Sequence, residues 1–547
     1  MSSRRSKIIK RNIRDRDVTK DRSKLKKRLA ILVTVLAAIM YVFVLSLDLE
    51  KKQITEGPGN ADIPSEKPSE PKVKPVDGGQ LVISVSRFGS VDPYKNKERS
   101  MDDFFRLVYD SLFELDANYD LVPELAKGYS VEEEGKKIIV TLDPNARWHD
   151  GTSVTPADVA FTIDHIKRNP QSPYNHLIKN IAGTTSSARS ITIDLVAPNA
   201  LGVYDLTFPI ISKDSIGSNA VLNDGTFGVI GNGMFRVVEY HKGKSIILRK
   251  NDRYHGAKPH INEVKALIYT DSTIRKNMFV AREVDLIESG YYELNKYDYE
   301  VFRTAKYQSR RFDFIAFNGG KAPFDQGINR RSIAKILDIR SAIEDAYRGE
   351  VRLSLLPISN GSELNLLRNS LYDKESVRTT ELIGTVPERL KIITDKADPM
   401  KHRMAYRIKA DLSLAGLDSD VIGLSLPELK EAVLAGNFDI GVFSYEVPLD
   451  KDITKLFKAN EKLFQYDLEK IKRMMDPVYK QGNKTFQAQN YLLLQEELLI
   501  TMPFVGIGFR NDYSAYNEKI YGELDSTSIE FYNGIEDLFI LPKKAGS

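Results

Sequence analysis

Cysteine is absent from the 547-residue chain. Its absence excludes disulfides, thiolate metal sites, a cysteine nucleophile and lipid attachment through cysteine. Tryptophan occurs once, as Trp148. Catalytic signatures are missing too: there is no H-E-x-x-H, no G-x-S-x-G and no phosphate loop. The histidines (His149, His165, His176, His241, His255, His260, His402) show no convincing ligand spacing, and His255 and His260, five apart, read as loop residues. No enzymatic activity, metal or other cofactor is expected. Excess charge is also scarce. The net +4 hides an asymmetry, because residues 1–28 hold 13 Lys/Arg against 3 Asp and leave the remainder at −6. Basic charge is thus confined to a tail, and the body is not expected to bind nucleic acid.

One long apolar run is present. Leu29–Leu47, LAILVTVLAAIMYVFVLSL, has no charge and no proline. As a helix it would extend about 28 Å, close to a hydrocarbon core of about 30 Å. A cleaved signal peptide would have a shorter apolar region and a small-x-small site. This run instead leaves through Leu45-Ser46-Leu47-Asp48-Leu49-Glu50 and reads as an uncleaved transmembrane signal anchor. The basic tail, 1–28, has no apolar periodicity. Beside a membrane span its charge predicts a cytoplasmic N-terminus and an extracytoplasmic body, with adhesion to anionic lipid as an added role. Residues 48–77 follow as a linker in which Pro58, Pro64, Pro68, Pro71 and Pro75 alternate with charged and small residues, an extended spacer.

The body mixes both periodicities. Leu81–Val85 and Lys137–Leu142 read as strands, and residues 100–115 put Phe104, Phe105, Val108, Tyr109 and Leu112 on one helical face. Thr155-Pro156-Ala157-Asp158 has capping-box spacing at a helix start. SITIDLV, FRVVEY, SIILRK and VKALIY make residues 188–270 rich in strand signals, with a Gly231-Asn232-Gly233 turn before FRVVEY. Asp338 is expected to cap Ile339–Arg348. Later, LKIITD, a helix with Met404, Ile408 and Leu412 closed by Gly416, DVIGLS, the helix Pro427–Ala435 and the strand Phe438–Phe443 follow one another. That β-α-β-α-β order predicts an α/β lobe with a parallel sheet. Residues 484–500 read as a last long helix.

Several motifs, in order, resemble those of the family 5 extracellular solute-binding proteins, the oligopeptide- and dipeptide-binding class serving ABC importers. Ala146–Val159 resembles W-x-D-G-x-P-hydrophobic-T-x-x-D-V, with Ser153 where proline is usual. Ile230–Phe235 resembles G-T-G-P-Y, and Leu248–Gly256 resembles R-N-x-x-Y-W-x-G. Glu283-Val284-Asp285 follows Arg282 in place of a glycine. Phe317-Asn318, Pro323-Phe324, Asp338–Ile343, Ala415-Gly416-Leu417 and Gly436–Asp439 complete the series. The likeness spans nearly all of residues 78–540. It implies a periplasmic-binding-protein-like type II clamp, α/β, of two lobes with an extra inserted domain, following one N-terminal transmembrane helix. Lobe I would be 78–112, 206–305 and 490–547, domain II 113–205, and lobe III 306–489. The implied partners are a peptide or other small solute, ABC permease subunits, and the cytoplasmic membrane through Leu29–Leu47.

In the peptide-binding class an aspartate in W-x-x-D-Y-x-x-P meets a free α-amine. Here the corresponding stretch is Phe443–Asp452; Tyr445 replaces the tryptophan and the aspartate position falls on uncharged Pro448. Glu446 or Asp450 could supply the carboxylate, or both could be surface charges. Arg87, Phe88 and Tyr109 are further pocket candidates by family geometry, with core packing the competing role for Tyr109. Trp148, Asp150-Gly151 and the Gly231/Gly233 turn read as structural. The altered pocket segment and the long basic tail also fit a second class: a sensor or envelope scaffold reusing the fold without transport.

Overall fold

The computed structural model describes residues 73–541, save 88, 217–221, 224–225, 228, 292–301, 360, 363, 366–381, 383, 385 and 465. The tail, the Leu29–Leu47 run and most of the linker lie outside the described residues, as does Phe88. No helix among the described residues is long and apolar enough to cross a membrane.

Three sheets organise the body. Strand β1 (Gln80–Val85) opens the chain, and helix α1 (Arg99–Arg106) follows it. β2 (Ala126–Glu132), β3 (Lys137–Leu142), β4 (Ile181–Ser186) and β5 (Ser190–Leu195) form an antiparallel sheet in the order β2-β3-β5-β4. α2 (Pro156–Lys167) begins with the expected capping box, in which the Thr155 N–H and hydroxyl both donate to Asp158 Oδ2. β6 (Phe235–His241), β7 (Ser245–Lys250) and β8 (Glu263–Ile268) return to β1 in the order β1-β8-β7-β6, with β1 and β8 parallel.

The third sheet has seven strands. They are β9 (Leu286–Gly290), β10 (Arg303–Phe317), β11 (Val351–Leu353), β12 (Leu390–Asp395), β13 (Ser419–Leu424), β14 (Ile440–Glu446) and β15 (Phe504–Tyr516). Their order is β9-β15-β10-β14-β12-β13, with β11 paired to β15. The β12, β13 and β14 pairings are parallel, as the β-α-β-α-β pattern predicts. Their connections are α3 (Pro399–Leu414), followed by Gly416 at φ 78°, and α4 (Leu426–Leu434). Side-chain alternation along β10 sends Phe312 and Phe314 into one core and Ile315 and Phe317 into a second, so the sheet is covered on both faces.

The helix expected over 100–115 is shorter than its periodicity suggests. It ends at Arg106, although Val108, Tyr109 and Leu112 remain fully buried. The backbone there bonds elsewhere: Val108 O accepts from Asn232 N and Gly233 N, and Leu107 O accepts from Phe235 N. Asn232 Oδ1 takes the Asp110 N–H at 2.8 Å. A Cβ on Gly231 would stand 2.0 Å from Val108 O, so the glycine turn serves this close approach. Trp148, 4% exposed, sits in the neighbouring corner, where Asp150 Oδ1 accepts from the Thr152 N–H and hydroxyl.

β10 and β15 run 15 and 13 residues, against about 5–6 for an ordinary strand. Their ladder shifts register twice, between Gln308 and Phe312 and between Asp313 and Phe314, and the first break is the larger. Gln308 pairs with Asn511 and Phe312 with Phe509, so Ser309, Arg310 and Arg311 oppose Arg510 alone. Such a bulge bends the strand and re-aims its side chains. β11 crosses beside it, where Gly508 has φ 140° and a Cβ would lie 2.2 Å from Arg352 O. Gly508→Ala is therefore expected to lower stability by about 2–3 kcal/mol, read as a fall in the urea-unfolding midpoint.

Candidate functional site

A cavity of about 810 Å³ opens at the bulge. Ser309, Arg310 and Arg311 of β10, Arg510, Asn511 and Asp512 of β15, and Ser444 and Glu446 of β14 all face it. The start of α3, α4 through Leu426 and Leu429, and Arg99 of α1 complete the wall.

An ion network holds one side. Asp313, fully buried on β10, accepts from Arg510 Nε at 2.8 Å, Tyr347 OH at 2.8 Å and Ser444 Oγ at 2.6 Å. Asp398 Oδ2 accepts from Arg510 Nη2 and Arg311 Nη2, each at 2.7 Å. Its other oxygen caps α3, accepting from the Met400 and Lys401 N–H groups. One carboxylate thus ties a helix N-terminus to two guanidiniums. Burial alone would raise Asp398, but Arg510, Lys401 and Arg311 outweigh it and hold the group below its ordinary value. Burial likewise works against Arg510, and Asp313, Tyr347 and Asp398 override it, keeping the guanidinium charged.

The opposite wall is more acidic. Arg99 Nε donates to Asp103 Oδ2 at 3.2 Å, and its Nη2 stands 3.6 Å from Glu288. Asp512 is pushed up to about 6, first by burial and then by Glu288, against the pull of Arg99, Arg311 and Arg510.

The residues singled out in the sequence are scattered. Glu446 faces the cavity, bonded at 2.5 Å to Arg310 Nη2. Tyr445, next to it, is half-buried against the core and turned from the cavity; burial, then Asp450 and Asp452, push its hydroxyl up to about 12. Asp450 is 1% exposed and ion-paired to Lys455, away from the cavity. Burial raises its carboxyl, and Lys455 offsets part of that rise. Tyr109 is fully buried against Phe105, the core role that competed with a pocket role. Arg87 is exposed and lies off the cavity wall. Pro448 lines a separate small recess with Lys451.

Sequence reading missed Arg310, Arg311, Asp398, Arg510 and Asp512. Two were signalled. Asp398-Pro399 after a strand is a helix-start pair, and Arg310-Arg311 breaks the alternation of YQSRRFDF, where the bulge falls.

Comparison with known proteins gives a consistent set. A family model described as "Bacterial extracellular solute-binding proteins, family 5 Middle" matches residues 120–447. The chain is 20% identical over 433 residues to the "Probable D,D-dipeptide-binding periplasmic protein DdpA" of Escherichia coli K12, covering 75% of this chain and 83% of that one. It is 21% identical over 342 residues to the "Dipeptide-binding protein" of the same organism, covering 55% and 63%. Among solved structures, the ABC transporter substrate binding protein CtaP of Listeria monocytogenes superposes with a TM-score of 0.65 at 17% identity, over 85% of this chain and 99% of that one. The periplasmic murein tripeptide binding protein MppA, in its unliganded open form, gives 0.67 at 16%, over 85% and 98%. The mixed α/β architecture is that of the type II periplasmic binding proteins.

Removing Arg510 would leave Asp313 buried and short of its cation. Arg510→Met is expected to cost about 3–5 kcal/mol, with Arg510→Met/Asp313→Asn recovering most of it, both read by urea unfolding. Asp398, held below its usual 3.8, adds stability that is complete at neutral pH and lost as pH falls through its folded-state value. Asp398→Asn should therefore narrow the stability difference between pH 7 and pH 3.

Proposed function

The chain belongs to family 5 of the bacterial extracellular solute-binding proteins, and we propose that it captures a peptide or similarly sized solute by clamp closure and delivers it to an ABC permease. The observation that carries this reading is the cavity of about 810 Å³ at the break in the two long strands. Its volume falls within the range of about 300–1,000 Å³ common for small-molecule sites. A bulge is a natural place for a hinge, and at Ser309–Arg311 the pairing with β15 is interrupted while Arg311 stays in register with Glu446 of β14. On this reading the halves of β10 and β15 on either side of the bulge move with different lobes. The lobe limits are those proposed from the sequence: 78–112, 206–305 and 490–547 for lobe I, 113–205 for domain II, and 306–489 for lobe III.

The resemblance in the sequence to peptide binders supports the ligand class, and a cavity wall that carries both arginines and carboxylates suits a polar, zwitterionic solute. Leu29–Leu47 would hold the body outside the cytoplasmic membrane, with residues 1–28 inside and 48–77 as spacer. Its apolar length and the basic flank support that placement.

The purified full-length chain should co-purify with, or be thermally stabilised by, short peptides; mass spectrometry of bound small molecules and thermal unfolding against tripeptide pools check this. At one hundred times Kd the gain is about 2.7 kcal/mol. A chain that carries nothing and responds to no pool would favour the sensor or scaffold role. Deleting residues 29–47 should move the protein out of the sedimented membrane fraction; retention there would rule out this segment as the tether.

A further inference from the structure

A second, smaller cavity of about 130 Å³ is walled by β1, the first turn of α1, the helix Ser272–Val280 and β9, with Phe531 and Tyr532 from the end of the chain. Its acids are committed to donors of the protein itself. Asp103 accepts from Arg99 Nε at 3.2 Å and from Phe531 N at 3.1 Å. Glu288 accepts from the Tyr307 hydroxyl and has Arg99 Nη2 3.6 Å away. Asp271, at the start of the helix, caps it by accepting from Thr273 N at 2.6 Å and Ile274 N at 3.2 Å.

The donors are in the opposite condition. Tyr532, 6% exposed, and Ser84, 8% exposed, both line the cavity, and neither hydroxyl has a hydrogen-bond partner among the described residues. Strand alternation puts Ser84 there, because Ile83 and Val85 on either side of it enter the core. Burial, then Asp103 and Glu288, push the Tyr532 hydroxyl far above its ordinary range against the pull of Arg275, so it keeps its proton and can donate. Arg275 gives one N–H to Tyr269 O at 2.9 Å, and its remaining donors have no acceptor among the described residues.

Two buried hydroxyls and a guanidinium thus face one space with hydrogens to donate, and an oxyanion is the complement that accepts from all three. Size and charge narrow its class. A water takes about 30 Å³, so about four to six non-hydrogen atoms fit. Arg275 supplies one cation without an ion pair, Lys276 on the same wall is already engaged, and Asp103, Glu288 and Asp271 stand nearby. The corner therefore balances a single negative charge. A guanidinium edge can give a carboxylate two parallel N–H bonds.

We propose that this second cavity is a binding site for a small monocarboxylate, held by Arg275 and the hydroxyls of Tyr532 and Ser84. The site is distinct from the larger cavity and does not depend on solute capture there.

The test is titration calorimetry on the full-length chain at constant ionic strength with three probes: lactate, its uncharged counterpart lactamide, and inorganic phosphate. Wild type should bind lactate at least about tenfold more tightly than lactamide. Tyr532→Phe should weaken lactate binding about three- to tenfold, and Arg275→Gln at least about tenfold, with Arg275→Lys recovering part of the loss. Equal melting temperatures of the ligand-free proteins would exclude misfolding as the cause. Equal affinity for lactate and lactamide, or lactate binding unchanged in both Arg275→Gln and Tyr532→Phe, overturns the inference. Phosphate bound more tightly than lactate, and lost in the same variants, overturns the monocarboxylate as ligand. Loss of lactate binding in Arg310→Gln but not in Arg275→Gln moves the anion to the larger cavity and overturns the second site. No response to lactate overturns it outright. None of these outcomes bears on the tripeptide response of the larger cavity.

Discussion

A carboxylate in the middle of a covered sheet must be neutralised where it stands, and the structure depends on how Asp313 meets that constraint. Its cation, Arg510, lies 197 residues further along the chain. The pair forms only when β10 and β15 are side by side and in register. Asp398 then joins the same guanidinium from the start of α3. One buried charge thus fixes two long strands and a helix relative to each other.

That arrangement separates rigidity from adaptability within one sheet. Above the break, β10 is paired on both sides, to β14 and β15. Below it, the strand keeps β15, which is paired in turn with β9. Between the two, three residues face one across β10 and β15, while Arg311 stays in register with Glu446 of β14 and Arg510 with Val351 of β11. The charged residues of the break are nonetheless held by side-chain bonds, Arg310 to Glu446 and Arg311 to Asp398. The Arg310–Glu446 pair, whose carboxylate is 71% exposed, is of the kind that contributes about 0–1 kcal/mol, so it can exchange for a bond to a ligand at little cost.

Much of the fold was legible in the sequence because it rests on local rules. Thr155-Pro156-Ala157-Asp158 carries its own cap, Gly416 its own helix stop, and the LKIITD to FDIGVF series its own alternation. The misread helix over 100–115 shows the limit of such rules. Its apolar spacing was genuine, but Val108 O is claimed by a turn more than a hundred residues away. The cavity was harder to find for the same reason. Asp512, Arg510 and Arg311 become neighbours only through strand pairing and a bulge, neither of which leaves a fixed spacing. Among the candidates, Glu446 reached the cavity, whereas Tyr109 had the signature of a core residue and proved to be one.

The double duty of Asp398 has a mechanical consequence. The helix it caps, Pro399–Leu414, has 16 residues and acts as a rod about 24 Å long. One end is pinned to the guanidiniums of the cavity, and the other carries Leu414, 84% exposed. Between these ends the rod is seated in the second core through Met404, Ile408 and Leu412. A ligand that draws Arg311 or Arg510 aside takes its bonds from Asp398 Oδ2, whereas the cap is made by Oδ1. One side chain thus lets the cavity exchange partners while its helix stays anchored.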